Sequence, residues 1–357
     1  MNRRDFAEVI GVGALGLLTG GIGTAAAAAP DEIGDLSFVH PELRQAALQW
    51  SKMTAGYKLT PDLIRTVRAM PKTSRIPVRP DIPVVEKRVP VTGGAPDVLV
   101  YIVNARPGTQ RAAILHTHGG GFVLGSAKES IGDMQACAAE LDCVVVTVEY
   151  RLAPETRYSG SIEDNYAALK WLYNSAAELG VDHSRIAVMG ESAGGGHAAL
   201  LALRARDRGE VPVLFQMLVY PMLDDRTGSS RAAPKNIGTI AWNAAANRFG
   251  WESFLGQRPG TRAVPVAAVP ARVGNLAGLP PTFIGVGGID LFVDEDIDYA
   301  RRLTDAGVPT ELLVVPGAFH GFDVMGEQAP VAKHFNEAKM DALRRAFAVR
   351  PSLGRRL

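Results

Sequence analysis

The chain reads as an α/β protein built on a mostly parallel sheet, and three observations carry that reading. Apolar runs of strand length alternate with helical patterns along most of its length. Two of those runs, residues 112–117 and 143–149, read as apolar throughout, as strands buried on both faces do. The composition is that of an ordinary globular protein: 357 residues, 47% hydrophobic and 21% charged, with a formal net charge of +1. This excludes collagen-like, disulfide-scaffold and wholly disordered chains. So small a charge leaves no electrostatic footprint for nucleic acid. The length suits one large α/β domain or two ordinary ones, and no linker, repeat or charge run divides it.

The elements follow in order. Met1-Asn2-Arg3-Arg4-Asp5-Phe6 precedes an apolar run diluted by Gly and Ala (9–24), then small residues up to Pro30. A charged start, an apolar middle and a small-residue end form the layout of a secretory signal. The paired arginines give it a twin-arginine character, with Asp5 and Glu8 as acidic departures. The run of about 16 residues falls short of the roughly 20 that span a bilayer. A cleaved signal is therefore expected rather than a retained anchor. The mature protein is expected to be exported, periplasmic or extracellular, with no stable membrane span. Disulfides are permitted there. Yet the two cysteines, Cys137 and Cys143, read equally as small buried hydrophobes, and the sequence leaves their bonding open. Two thiols with no His pair at ligand spacing predict no metal site.

Residues 35–70 are helical in pattern, with Leu43, Ala46, Ala47 and Trp50 at helical spacing and Leu63, Val67 and Met70 likewise. The Pro-rich stretch 71–83 ends that pattern. Strands are predicted over 83–91, 98–104, 112–117, 143–149, 186–189, 213–220, 282–286 and 311–315. Helices are predicted over 128–141, 161–179, 194–208, 294–306 and 331–347. Such alternation makes a sheet of about eight strands, mostly parallel and flanked by helices. Residues 223–279 break the alternation. They hold Trp242, Phe249, Trp251 and Phe254 and read as an insertion over the sheet.

The chemistry-bearing residues lie at strand ends. Gly190-Glu191-Ser192-Ala193-Gly194-Gly195 sits between a predicted strand and a predicted helix. Gly-x-Ser-x-Gly in that context is a nucleophile elbow. The tight turn strains the serine, lifts its hydroxyl above the sheet and sets it at a helix N-terminus. His118-Gly119-Gly120-Gly121-Phe122 follows another strand. Three successive glycines imply close backbone approach, and with the Ala193 amide they supply an oxyanion hole. No Gly-Lys-Ser/Thr or Gly-x-Gly-x-x-Gly pattern supports the competing phosphate loop. His118 reads as a brace for that turn.

Of seven histidines, His320 is best placed as general base, in a Gly-rich loop after the last strand. His40, His183 and His334 look surface-like, His197 looks packed into the helix after Ser192, and His116 lies within a strand. Asp290, at the C-terminal end of the strand 282–286, is favoured as the orienting acid. Asp294, Glu295, Asp296 and Asp298 fall at the start of the next helix, where acidic residues ordinarily serve as caps and dipole partners.

These blocks, with Tyr150-Arg151-Leu152-Ala153-Pro154-Glu155 and His320-Gly321-Phe322, resemble the hormone-sensitive-lipase-like esterases of the α/β-hydrolase superfamily over about residues 35–348. Asp290-Leu291-Phe292-Val293-Asp294-Glu295 keeps the family's Asp and its later Asp-Glu. Two departures are Glu191, where Asp or Thr is frequent, and Tyr158-Ser159, where a Pro is usual. The resemblance implies an α/β-hydrolase fold with a helical cap and Ser192, Asp290 and His320 as the triad. It implies Gly120, Gly121 and Ala193 as oxyanion donors, with Gly119 completing the loop. The divisions expected are an export signal at 1–29, cap helices at 30–80, core at 81–222 and 280–350, and a cap insertion at 223–279.

The reading is a serine carboxylic-ester hydrolase needing no cofactor, acting on a small-molecule ester of short to medium chain, with a homodimer left open. The cap's aromatic residues are expected either to line an apolar pocket or to form cap core. The alternatives are a peptidase or amidase on the same triad, and a non-catalytic ligand receptor, which would be expected to lose a triad member.

Overall fold

Residues 35–55 and 58–349 are described by a computed structural model of the chain. The expected export signal, 1–29, lies outside them. The N-terminal helical pattern resolves into α1 (Arg44–Thr54) and α2 (Pro61–Arg68). Thr60 caps α2 by accepting the Leu63 amide at 3.2 Å, and Pro61 follows at the first helical position, where its missing N–H costs nothing.

Eight strands form one sheet: β1 (Val84–Val89), β2 (Val98–Val103), β3 (Arg111–Thr117), β4 (Val144–Glu149), β5 (Val181–Glu191), β6 (Phe215–Val219), β7 (Thr282–Gly287) and β8 (Thr310–Val315), in the order β1-β2-β4-β3-β5-β6-β7-β8. Only β2 runs against its neighbours; from β4 to β8 every pairing is parallel. The continuous apolar runs match burial: β3, β6 and β7 are buried at every position, whereas β1 and β8, at the edges, are mostly exposed or half-buried.

Helices cover both faces, as parallel strands with apolar side chains on both sides require. They are α3 (Ile131–Glu140), α4 (Tyr158–Asn174), α5 (Ala176–Leu179), α6 (Ala193–Arg208), α7 (Ala244–Leu255), α8 (Val293–Asp305), α9 (Phe322–Met325) and α10 (Pro330–Ala348). One core cluster holds Ile64 of α2, Leu169 of α4, Leu201 of α6, Trp251 of α7 and Tyr299 of α8. The other holds Trp50 of α1, Met134 of α3 and Phe335 of α10. Strand β5 begins well before the predicted residue 186. Its first residue, Val181, pairs with Arg111 across a register shift that local apolar patterning does not show. Cys137 and Cys143 are buried free thiols.

The stretch after β6 carries α7 and two short 3₁₀ turns, and buried charge ties it down. Asp225, fully buried, receives Arg272 at 2.6 Å and the Gly260 amide at 2.6 Å. Asp224 receives Arg226 and Arg231, each at 2.8 Å. Glu295, expected as a helix-capping residue, is instead buried, and its Oε1 accepts the amides of Leu223 at 2.6 Å and Asp224 at 3.1 Å. Burial and the nearby Asp224 charge push its pKa well above the ordinary carboxylate range. Asp296 is also fully buried, with neither oxygen hydrogen-bonded among the described residues. Burial and the charges of Glu295 and Asp290 raise its pKa strongly. The acidic start of α8 is thus partly interior. An N-terminal acid that turns inward has the same local sequence as one that turns outward. Among the described residues no helix is long and apolar enough to cross a membrane.

Candidate active site

The strand ends and the loops that follow them bring the predicted residues together. Ser192 sits between β5 and α6 with φ 57° and ψ −122°, a positive φ that a side-chain-bearing residue holds only under surrounding constraint. The constraint is visible: the Ser192 amide donates to Val219 of β6 at 2.9 Å, and its carbonyl accepts Gly196 at 3.0 Å and Met222 at 2.9 Å. At Gly194 a Cβ would collide with the carbonyl oxygen of Thr117, so no other residue lets α6 start this close to β3.

Ser192 Oγ lies 3.0 Å from His320 Nε2, and His320 Nδ1 lies 2.8 Å from Asp290 Oδ2. The other Asp290 oxygen accepts the Phe292 amide at 3.0 Å. Asp290 is fully buried, while Ser192 and His320 keep a small accessible surface. Tyr220 and Phe292 meet the imidazole edge-on, at centroid separations of 4.7 and 5.2 Å, and fix its plane. Tyr220 is itself held, its hydroxyl donating to Asp323 at 2.8 Å, and Asp323 also receives Lys339 at 2.6 Å.

The glycine loop after β3 folds over the elbow. The Gly120 carbonyl accepts the amides of Val123 at 3.1 Å and Leu124 at 2.8 Å, and Gly120 has φ 122°, open to glycine alone. The amides of Gly120 and Gly121 donate to no described residue. Ala193, the first residue of α6, has no intrahelical acceptor to give to. Gly119 stands beside Ser192, where an added Cβ would lie 3.6 Å from the serine Cβ. His118 braces the turn: its Nδ1 meets the Gly119 carbonyl at 2.9 Å, and its ring stacks on Tyr150 at 4.2 Å. The Tyr150 hydroxyl in turn donates to the His118 carbonyl at 2.7 Å. Burial lowers the His118 pKa.

The sequence did not link Glu191 to His116. Strand register does so, because β3 and β5 are neighbours. His116 Nε2 meets Glu191 Oε2 at 2.9 Å, and Nδ1 meets Thr147 at 2.8 Å. Burial opposes the Glu191 charge, but His116 and the more distant Lys339 outweigh it and hold the carboxyl below its ordinary pKa. The pair ties the strand entering the elbow to the strand entering the glycine loop.

A cavity of about 760 Å³ opens on Ser192, His320 and Gly119–Gly121. The aromatic residues of the insertion divide between the two expected roles. Trp242 and Phe249 line the cavity, whereas Trp251 and Phe254 are fully buried as core.

A doubly covered, mostly parallel sheet with a strained serine at a strand-to-helix turn and a histidine and a buried aspartate in line behind it defines the α/β-hydrolase class. The family model described as alpha/beta hydrolase fold matches residues 114–324. The esterase LipI of Mycobacterium tuberculosis is 36% identical over 272 residues, 76% of this chain and 84% of that protein. The carboxylesterase NlhH of the same organism is 35% identical over 299 residues, 81% of this chain and 86% of that protein. The solved structure of a bacterial heroin esterase superposes with a TM-score of 0.75 at 36% identity, covering 87% of this chain and 99% of that one. The chain belongs to this hormone-sensitive-lipase-like family of α/β-hydrolases and is an enzyme of the carboxylesterase type.

Proposed function

We propose that the chain is a serine carboxylic-ester hydrolase that works through an acyl-enzyme on Ser192. The observation that carries this reading is the hydrogen-bonded line from Ser192 Oγ through His320 to Asp290 at 3.0 and 2.8 Å, set in the wall of the cavity. With the Nδ1 proton directed at Asp290, Nε2 is left to accept from the serine hydroxyl, which is a poor nucleophile until its proton is removed. Ser192 attacks the ester carbonyl and His320 takes its proton. Asp290 fixes the tautomer and offsets the imidazolium charge. The carbonyl oxygen gains negative charge that the amides of Gly120, Gly121 and Ala193 receive as oxyanion donors, with Gly119 shaping the loop. Each such donor contributes about 3–4 kcal/mol of transition-state stabilisation. His320 then returns its proton to the leaving alcohol. In the second half it activates water, which attacks the acyl carbon and frees the acid.

The test is active-site titration. An organophosphate is expected to add once per chain, on Ser192, and to stop hydrolysis of short nitrophenyl esters. Ser192→Ala is expected to bind no label and to lose activity by about 10⁴-fold or more with its fold intact by circular dichroism. Labelling at another residue, or an active Ser192→Ala, would overturn the assignment.

A further inference from the structure

Helix α10 turns Ala332, Phe335, Ala342, Leu343 and Phe347 into the core. Lys339 falls in the same stripe, four residues after Phe335 and four before Leu343, where helical spacing calls for an apolar side chain. Its side chain is only 14% exposed, lines the cavity, and donates from Nζ to Asp323 Oδ2 at 2.6 Å. The ammonium also stands 5.1 Å from the centre of the Phe335 ring. Asp323 lies in α9, three residues after His320, and is buried. Its other oxygen, Oδ1, accepts the Tyr220 hydroxyl at 2.8 Å, and its carbonyl accepts Asn336 of α10 at 3.3 Å. Tyr220 follows β6 with φ 34°, its amide tied to the Gly285 carbonyl at 2.6 Å, and its ring meets the His320 imidazole at 4.7 Å. Burial and the Asp323 charge hold the phenol pKa well above its ordinary value, so Tyr220 is the donor.

We propose that Lys339 is a positioning residue for the base: through Asp323 and Tyr220 it holds the His320 ring in line with Ser192. The inference rests on the hydrolase reading above. His320 is supported from three directions. Asp290 meets its Nδ1 at 2.8 Å. The chain beyond it enters α9 at once, and α10 pins α9 at both the carboxylate and the carbonyl of Asp323. The third support is the Tyr220 ring, whose far end is anchored on the same carboxylate. So buried a carboxylate keeps its charge only with a cation beside it, and Lys339 is that cation. Glu191, which also feels the Lys339 charge, has His116 as its nearer partner. A buried ion pair adds little net stability over well-packed apolar side chains, so stability alone does not call for a lysine in this stripe. The pair supplies a fixed geometry instead: a carboxylate held by one donor at each oxygen, and a ring oriented by that carboxylate. A base displaced by a fraction of an ångström loses rate rather than substrate affinity, because its line to the serine matters most in the transition state.

The parent, Lys339→Met, Tyr220→Phe and the double variant are compared on one short nitrophenyl ester, each at organophosphate-titrated sites. Lys339→Met keeps the length of the side chain and removes its charge, whereas Tyr220→Phe keeps the ring and removes its anchor. Each single variant is expected to lower kcat by about tenfold to a hundredfold with KM within about twofold of the parent. The double variant is expected to be no slower than the slower single one, because both changes cut the same line. Lys339→Arg, which keeps the cation, is expected to recover most of kcat. Lys339→Gln, which still offers Asp323 a hydrogen bond, serves if Lys339→Met does not fold. A parent-like kcat in either single variant, a loss confined to KM, losses that multiply in the double variant, or a Lys339→Arg as slow as Lys339→Met would each overturn the proposal. Parent protein that hydrolyses no ester at all would instead refute the hydrolase reading, so the two failures are distinct.

Discussion

His197 stands one turn into α6 after Ser192, with its ring enclosed by Phe122, Tyr150 and Phe254 at centroid separations of 5.2, 4.4 and 5.4 Å. Neither ring nitrogen has a hydrogen-bond partner among the described residues. Burial pushes its pKa down to about 3, with the nearby His118 adding to the effect. A base depressed in this way contributes stability that is complete above its unfolded value near 6.5 and is lost as pH falls from there towards 3. The midpoint of urea unfolding is therefore expected to drop across that window. His197→Leu, which fills similar space without a proton to gain, is expected to flatten the slope. An equal slope in both proteins would show that His197 does not carry the effect. The sequence predicted a packed side chain here, one turn into the helix after Ser192. Ser192 and His320 were legible for a related reason: their flanking glycines and strand-end positions are local signals. The link between Glu191 and His116 was not, because which strands become neighbours is decided by topology rather than by either strand's own residues.

At the scale of elements, the strands were legible wherever both faces are buried, since an unbroken apolar run leaves no ambiguity of side. Helix starts shifted by a few residues, as with α4, which begins at Tyr158 rather than 161; polar first turns resemble loops in composition. The insertion between β6 and β7 was recognised by its broken periodicity, but its anchors were invisible because they pair residues far apart in the chain. The most buried anchor makes a quantitative contrast. Arg272 neutralises Asp225, whose side chain is fully buried, while Arg231 meets Asp224 with 40% of its own side chain exposed. Removing the arginine paired with a buried carboxylate strands its charge and costs about 3–5 kcal/mol, whereas Asp224, buried as well, still pairs with Arg226 at 2.8 Å when Arg231, more exposed than Arg272, is lost. Arg272→Met is accordingly expected to lower stability by several kcal/mol, and Arg231→Met by 1 kcal/mol or less. Denaturant unfolding of the two variants checks this. Equal losses would mean that Asp225 finds other compensation.

At the scale of the whole molecule, one indole joins parts that lie far apart in the chain. Trp242 belongs to the stretch between β6 and β7. A Cβ on Gly121 would strike its six-membered ring, so the absence of a side chain on the glycine loop is what lets the insertion close down. The same ring stands 6.4 Å from the His320 imidazole, and its N–H donates at 3.1 Å to Asn247, which is fully buried in α7 and donates to the Thr227 carbonyl at 2.8 Å. Insertion, glycine loop and His320 therefore meet at one ring in the cavity wall, and in the mechanism proposed above Trp242 covers the substrate and keeps water from the developing charge. Loss of an aromatic wall of this kind costs about 1–3 kcal/mol, equivalent to a fall of about fivefold to 150-fold in kcat/KM. Trp242→Ala is expected to show that fall, with Trp242→Phe recovering most of it because a phenyl ring still spans the gap to Gly121. The measurement is kcat/KM on one short ester with both variants at matched titrated sites. If Trp242→Ala keeps the parent value, the insertion closes over the site without contributing to catalysis, and its packing on the glycine loop serves stability alone.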